Sequence, residues 1–73
     1  MTTARLIAAE YRRTDGTLSH TAVSFCDPGP HDDRGPLLCQ VRQGEDLRAK
    51  ILAALDESYI SEFEIARTER HAL

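Results

Sequence analysis

The chain has 73 residues, enough for one domain whose thin core buries only about 60% of the surface exposed on unfolding, so a disulfide, a metal or a second subunit is a common supplement at this size. Nine basic residues against twelve acidic ones, with a net charge of -3 and no Lys/Arg run longer than Arg12-Arg13, exclude the basic footprint of a nucleic-acid binder, and the mixed signs equally exclude an acidic mimic of DNA. The opening residues lack the apolar core of a signal peptide and no stretch approaches the roughly 18 apolar residues of a membrane span, so a cytoplasmic protein without membrane contact is expected.

Arginine outnumbers lysine eight to one and alanine is frequent, a codon signature that fits a GC-rich bacterial or phage genome. No internal repeat or linker is visible, and residues 1–73 are expected to form a single domain.

The first two elements flank Thr14-Asp15-Gly16. Residues 5–13 and 17–26 place β-branched and aromatic side chains at alternate positions, the signal of a β-hairpin. A two-residue Asp-Gly loop would set Ile7 opposite Ser24 and Ala9 opposite Ala22, mixing polar and apolar groups on both faces. A three-residue loop with Gly16 left-handed in a bulge pairs Arg13 with Thr17 and puts Ile7 opposite Val23 and Ala9 opposite Thr21. The second register separates the faces and is the one expected: Ile7, Ala9, Tyr11, Thr21, Val23 and Phe25 inward, with Ala8, Glu10, Arg12, His20, Ala22 and Ser24 outward.

A loop over 27–36 holds all three prolines. Residues 37–42 then alternate again, with Leu37, Cys39 and Val41 on one side, as a third strand. Gly44-Glu45-Asp46 opens a helix, its two carboxylates placed in the first turn at the positive end of the dipole and its apolar stripe formed by Leu47, Ile51, Ala54 and Leu55. It should end near 56–58. In 59–67, Phe63 and Ile65 are separated by Glu64, the period of a strand; continued helix is the rival reading, because Glu, Ala and Arg are good helix formers. The strand is preferred, and 68–73 resemble a frayed tail.

The order β-β-β-α-β gives a small α+β domain: a mixed four-stranded sheet with one helix packed on one face. The expected core is Ile7, Ala9, Tyr11, Val23, Phe25, Leu37, Cys39, Val41, Phe63 and Ile65 against Leu47, Ile51 and Leu55. The other face must be solvated or bound.

Chemistry-bearing residues concentrate between Cys26 and Cys39. Structural zinc calls for close ligand pairs such as C-x2-C, whereas Cys26, His31 and Cys39 stand five and eight residues apart with no second pair. A Cys26–Cys39 disulfide is geometrically easy if the two end adjacent strands, but a reducing compartment favours free thiols. On the second strand His20 stands about 13 Å from Ser24 and about 20 Å from Cys26, too far for a nucleophile–base dyad. The expected register sets Glu10 opposite His20 as a surface pair. Gly29, Gly35 and Gly44 match no phosphate-binding spacing.

These features imply no cofactor and no enzyme. The leading expectation is a non-enzymatic interaction module that binds a larger partner protein and modulates it as an inhibitor or adaptor. Its candidate partner-binding residues are Asp32, Asp33 and Arg34 in the loop and Arg12, Arg42, Glu62 and Glu64 on the uncovered sheet face. The alternatives are a metal or thiol sensor built on Cys26, His31 and Cys39, and an enzyme or small-molecule binder formed at a homodimer interface.

Overall fold

The computed structural model describes residues 3–27, 29–31 and 33–73. Its elements are β1 (Thr3–Arg12), β2 (Leu18–Cys26), β3 (Arg34–Arg42), α1 (Leu47–Asp56) and β4 (Glu62–Ala72), and the four strands form one sheet in the order β3-β2-β1-β4. β1 and β2 are antiparallel, as are β2 and β3, whereas β4 lies parallel to β1. A parallel neighbour cannot be reached by a tight turn, which is why α1 carries the chain from one outer strand across to the other. The α+β architecture of four mixed strands and one helix follows from this order.

The turn and the register give different answers. Gly16 has φ +87°, and the Gly16 and Arg13 amides donate to the Arg13 and Thr17 carbonyls at 2.9 Å each, so the three-residue loop and the Arg13–Thr17 pair are as expected. Between the Arg12–Leu18 and Tyr11–His20 pairs, however, β2 spends one extra residue, Ser19. This bulge shifts the rest of the hairpin by one, so that Ile7 faces Ser24 and Ala9 faces Ala22. The expected pairing of Ile7 with Val23 is therefore incorrect. The face separation behind it does not apply to β1, a central strand on which Leu6, Ile7, Ala8 and Ala9 are all buried. Strands covered on both faces read as continuous apolar runs.

The one-residue shift exchanges the faces of β1. The core between sheet and helix is Ala4, Leu6, Val23, Ile51 and Leu55, with Phe25, Leu38, Cys39, Ile60 and Phe63 packed against it. Val23, Phe25, Cys39, Phe63, Ile51 and Leu55 occupy their expected places, while Ile7, Ala9 and Tyr11 belong to the opposite face. Leu37, Leu47 and Ile65, expected in the core, are exposed.

α1 starts at Leu47 with Asp46 as its N-cap, the carboxylate accepting the Ala49 amide at 3.1 Å. Both acidic residues thus precede the helix instead of lying in its first turn. Glu45 accepts the Arg42 amide at 2.8 Å and pairs with Lys50 at 3.3 Å. The second correction concerns the end of the chain. Residues 68–72, expected to fray, continue β4 and pair with β1 as far as Arg12–Ala72.

Candidate functional site

With α1 covering one face, the opposite face of the sheet collects most of the chain's convergent polar side chains. Alternation from Ile7 and Ala9 places Thr3, Arg5 and Tyr11 of β1 there, and cross-strand pairing adds His20, Ala22 and Ser24 of β2, Gln40 and Arg42 of β3, and Arg67, Glu69 and His71 of β4. Ile7 at 0% exposure, Ala9 and Ser24 form its buried floor.

Glu69 is the hub. It accepts hydrogen bonds from Arg34, from Arg67 Nε at 3.0 Å and from His71 Nε2 at 3.0 Å. The hydrogen bond from His71, joined by those from Arg67 and Arg34, draws its carboxyl pKa down to about 2. Arg34 begins one outer strand and Glu69 lies on the other, so their contact bridges β2 and β1. Bulges at Leu38 and around Gly35–Pro36 bend β3, and Arg34 sits at the bent end. Its guanidinium is held above the ordinary arginine range, first by Glu69 and then by a hydrogen bond with Tyr11.

Above Ala9 the Tyr11 ring is sandwiched. His20 stacks on it with centroids 4.9 Å apart and planes 16° from parallel, and His71 with centroids at 5.1 Å and 21°. Three adjacent strands each contribute one ring, because Tyr11 pairs with His20 on one side and with His71 on the other. Beside this stack lies a depression of about 260 Å3 lined by Arg13, Ser19, His20, Gln40 and Arg42. Short Ala22 separates His20 from the level of Gln40, and the Ser19 bulge keeps a second small side chain near the rim.

The expected partner-binding residues divide. Arg42, Glu62 and Glu64 lie on this face, Glu62 accepting from the Thr3 hydroxyl at 3.3 Å and Glu64 from Arg5 Nε at 3.1 Å. Arg34 reaches over it. Arg12 does not belong there: the shifted register turns it to the helix side, where it donates to Glu10 at 3.1 Å and to the Gly16 carbonyl at 3.1 Å. Glu10 in turn faces Thr21 and approaches Arg70 at 3.7 Å, so the expected Glu10–His20 pair does not form. Asp33 is exposed at the end of the loop, its carbonyl accepting the Asp27 amide at 2.8 Å. Asp32 lies outside the described residues.

Tyr11, Glu69, His71 and Arg67 were not expected at a site. The signal for three of them is the alternation Arg67-x-Glu69-x-His71, which becomes a row on one face only once 68–72 are read as strand.

The residues of the proposed sensor do not converge. Cys39 pairs with Val23 on the helix side, and Cys26 lies three residues further along β2, on the other face. Both thiols are free, the sheet stands between them, and His31 is exposed in the connecting loop. Burial raises the Cys39 thiol pKa, the opposite of what a reactive thiolate needs. Among the described residues no group of three His, Cys, Asp or Glu side chains is placed to hold a metal ion. No described helix is long and apolar enough to cross a membrane. Compared with protein-family models, curated proteins and solved structures, the chain matches none.

Proposed function

We propose that the chain is a non-enzymatic interaction module, cytoplasmic and of bacterial or phage origin, which binds a larger protein through the helix-free face of its sheet and modulates it as an inhibitor or adaptor. The observation that carries this reading is the pre-built array on that face, with Tyr11 fixed between two imidazoles and Glu69 joined to Arg34, Arg67 and His71. Side chains already held in one geometry lose little further entropy on binding, and Tyr and Arg are enriched among the residues that anchor protein interfaces. The dimensions agree. The Cα trace measures 41 × 29 × 15 Å, a slab of one sheet and one helix. Its accessible surface is 4967 Å2, above the ~4,500 Å2 typical of a folded monomer of this mass.

Photo-crosslinking tests the assignment. A crosslinking amino acid at Gln40 or Glu64, on the helix-free face, should capture the same protein in the source cell, and one at exposed Ala53 on α1 should not. Charge reversal at Arg42 should lower the yield from Gln40 while leaving the fold intact. Adducts formed from Ala53 alone would move the interface to the helix and remove this reading.

A further inference from the structure

We infer that the depression between Arg13 and Arg42 is a binding site for a phosphate monoester. Three segments build it: the end of the first hairpin arm supplies Arg13, β2 supplies Ser19 and His20, and β3 supplies Gln40 and Arg42. Every lining side chain can donate a hydrogen bond, and none is a carboxylate. In a chain whose net charge is -3, such a concentration of donors is a local reversal of sign.

The two guanidinium groups are available. Arg13 donates one nitrogen to the Thr17 hydroxyl at 3.4 Å and the Leu18 carbonyl at 3.1 Å, which fixes its side chain and leaves its other N–H groups to be used. Among the described residues no carboxylate lies within 4 Å of the guanidinium group of Arg13 or of Arg42, unlike those of Arg5, Arg12, Arg34, Arg67 and Arg70, although Asp15 attracts the first and Glu45 the second at longer range. The nearest acids have other work. Asp15 accepts from the Thr17 amide and hydroxyl, and Glu45 from the Arg42 amide and Lys50. Guanidinium forks match the oxygens of a phosphate better than any other side chain does.

His20 completes the arrangement. Its ring is held against Tyr11, and Nδ1 stands 3.1 Å from the Ser19 hydroxyl. Whichever partner donates across that contact, one proton is left over, on Nε2 or on the Ser19 hydroxyl, as a further donor. The Ser19 bulge that shifts the hairpin register also brings Ser19 beside His20, in keeping with the tendency of bulges to re-aim side chains at functional sites. At about 260 Å3 the depression is smaller than the ~300–1,000 Å3 pockets of drug-sized ligands, so it takes a charged group and its ester linkage and leaves the remainder of the ligand outside.

The test is an NMR titration of the 15N-labelled chain at low ionic strength and pH 7.5, where a phosphate monoester is largely dianionic because its second pKa is about 6. The probes are O-phosphoserine, serine, sodium sulfate and a phosphoserine peptide. O-Phosphoserine should give saturable shifts at the amides of Ser19, His20, Gln40 and Arg42, and serine should give none. Arg13→Gln and Arg42→Gln should each weaken binding by about tenfold, as loss of a charge-assisted hydrogen bond implies, whereas Arg48→Gln on the helix should leave it unchanged. A phosphoserine peptide that binds at least about tenfold tighter than the free amino acid places the ester on a polypeptide; equal affinities place it on a small metabolite, and either result supports the site. Sulfate that matches O-phosphoserine in affinity, shifts that follow every arginine equally, or no saturation by about 20 mM ligand would overturn it.

Discussion

Tyr59 breaks a local rule that Gly16 obeys. α1 closes with the Tyr59 amide donating to Asp56 at 3.0 Å and the Ile60 amide to Leu55 at 3.2 Å, the pair of bonds that ends a helix through one left-handed residue. That residue is normally glycine, but here it is Tyr59 at φ +58° with 97% of its surface exposed. A non-glycine residue in this region costs of order 1 kcal/mol or more, and no burial of the ring offsets it. Gly16 sits at φ +87° with no atom within 4 Å of the place a Cβ would occupy, so a side chain there would meet backbone strain alone. The two sites should respond in opposite directions. Tyr59→Gly is expected to stabilise by about 0.5–1 kcal/mol, after the greater entropy of glycine in the unfolded chain is deducted, and to raise the melting temperature by a few degrees. Gly16→Val should lose about 2 kcal/mol, since a β-branched residue resists positive φ most. Thermal denaturation of both variants measures the pair. A Gly16→Val protein that melts with the wild type would show that the bulged turn is wrong.

At the level of the elements, β4 is the strand on which the site depends. Its outer half, Arg67 to His71, carries the acceptor and two of the donors of the Glu69 hub, and it is held to the sheet by β1. The folded-state carboxyl of Glu69 titrates near pH 2, below the ~4.3 of an unfolded chain, so on acidification the unfolded chain takes up the proton first. The stabilisation from this group is therefore whole above about pH 4.3 and is lost as the pH falls toward 2. Glu69→Gln should lower the melting temperature at pH 7, and the gap from wild type should close between pH 4.5 and pH 2; parallel curves across that range would remove Glu69 as the hub. The same strand shows what a sequence alone conceals. The number and order of the elements and the end of α1 were legible because Ile51, Ala54 and Leu55 form a periodic stripe and because Thr14-Asp15-Gly16 announces a turn. The helix starts two residues later than its carboxylates suggest, since an aspartate before an apolar run reads equally as a cap or as a first-turn residue. The outer half of β4 was not, since an edge strand exposed over most of its length has the polar composition of a tail, and only its ladder with β1 distinguishes the two. The Ser19 bulge was equally hidden: nothing local requires it, and its effect is to exchange the faces of β1 relative to β2, so that Leu6 and not Ile7 joins Val23 and Phe25 under the helix.

The whole molecule has two outer strands, and both are poorly suited to pairing with copies of themselves. β3 contains Pro36, which has no amide hydrogen, and two bulges that interrupt a straight edge. β4 offers 11 residues, but Glu62, Glu64, Arg67, Glu69 and Arg70 place charges of both signs along it. Prolines, bulges and edge charges are the devices by which sheets avoid edge-to-edge association. Binding through the helix-free face to a larger protein and assembly into a homodimer then make separate predictions for the isolated chain. If the partner is a different protein, the isolated chain melts as a monomer, and its melting temperature should move by less than about 1 °C between roughly 5 and 500 µM. A homodimer that folds with its interface gains about 2.7 kcal/mol over a hundredfold rise in concentration. Such a dimer unfolds as a unit of twice this chain's length, for which about 2–4 °C per kcal/mol applies, so the rise is roughly 5–10 °C. The flat dependence is expected. A steep one would replace the larger partner with a second copy of this chain, and crosslinks from Gln40 to another molecule of the same protein would then mark the helix-free face as the dimer interface.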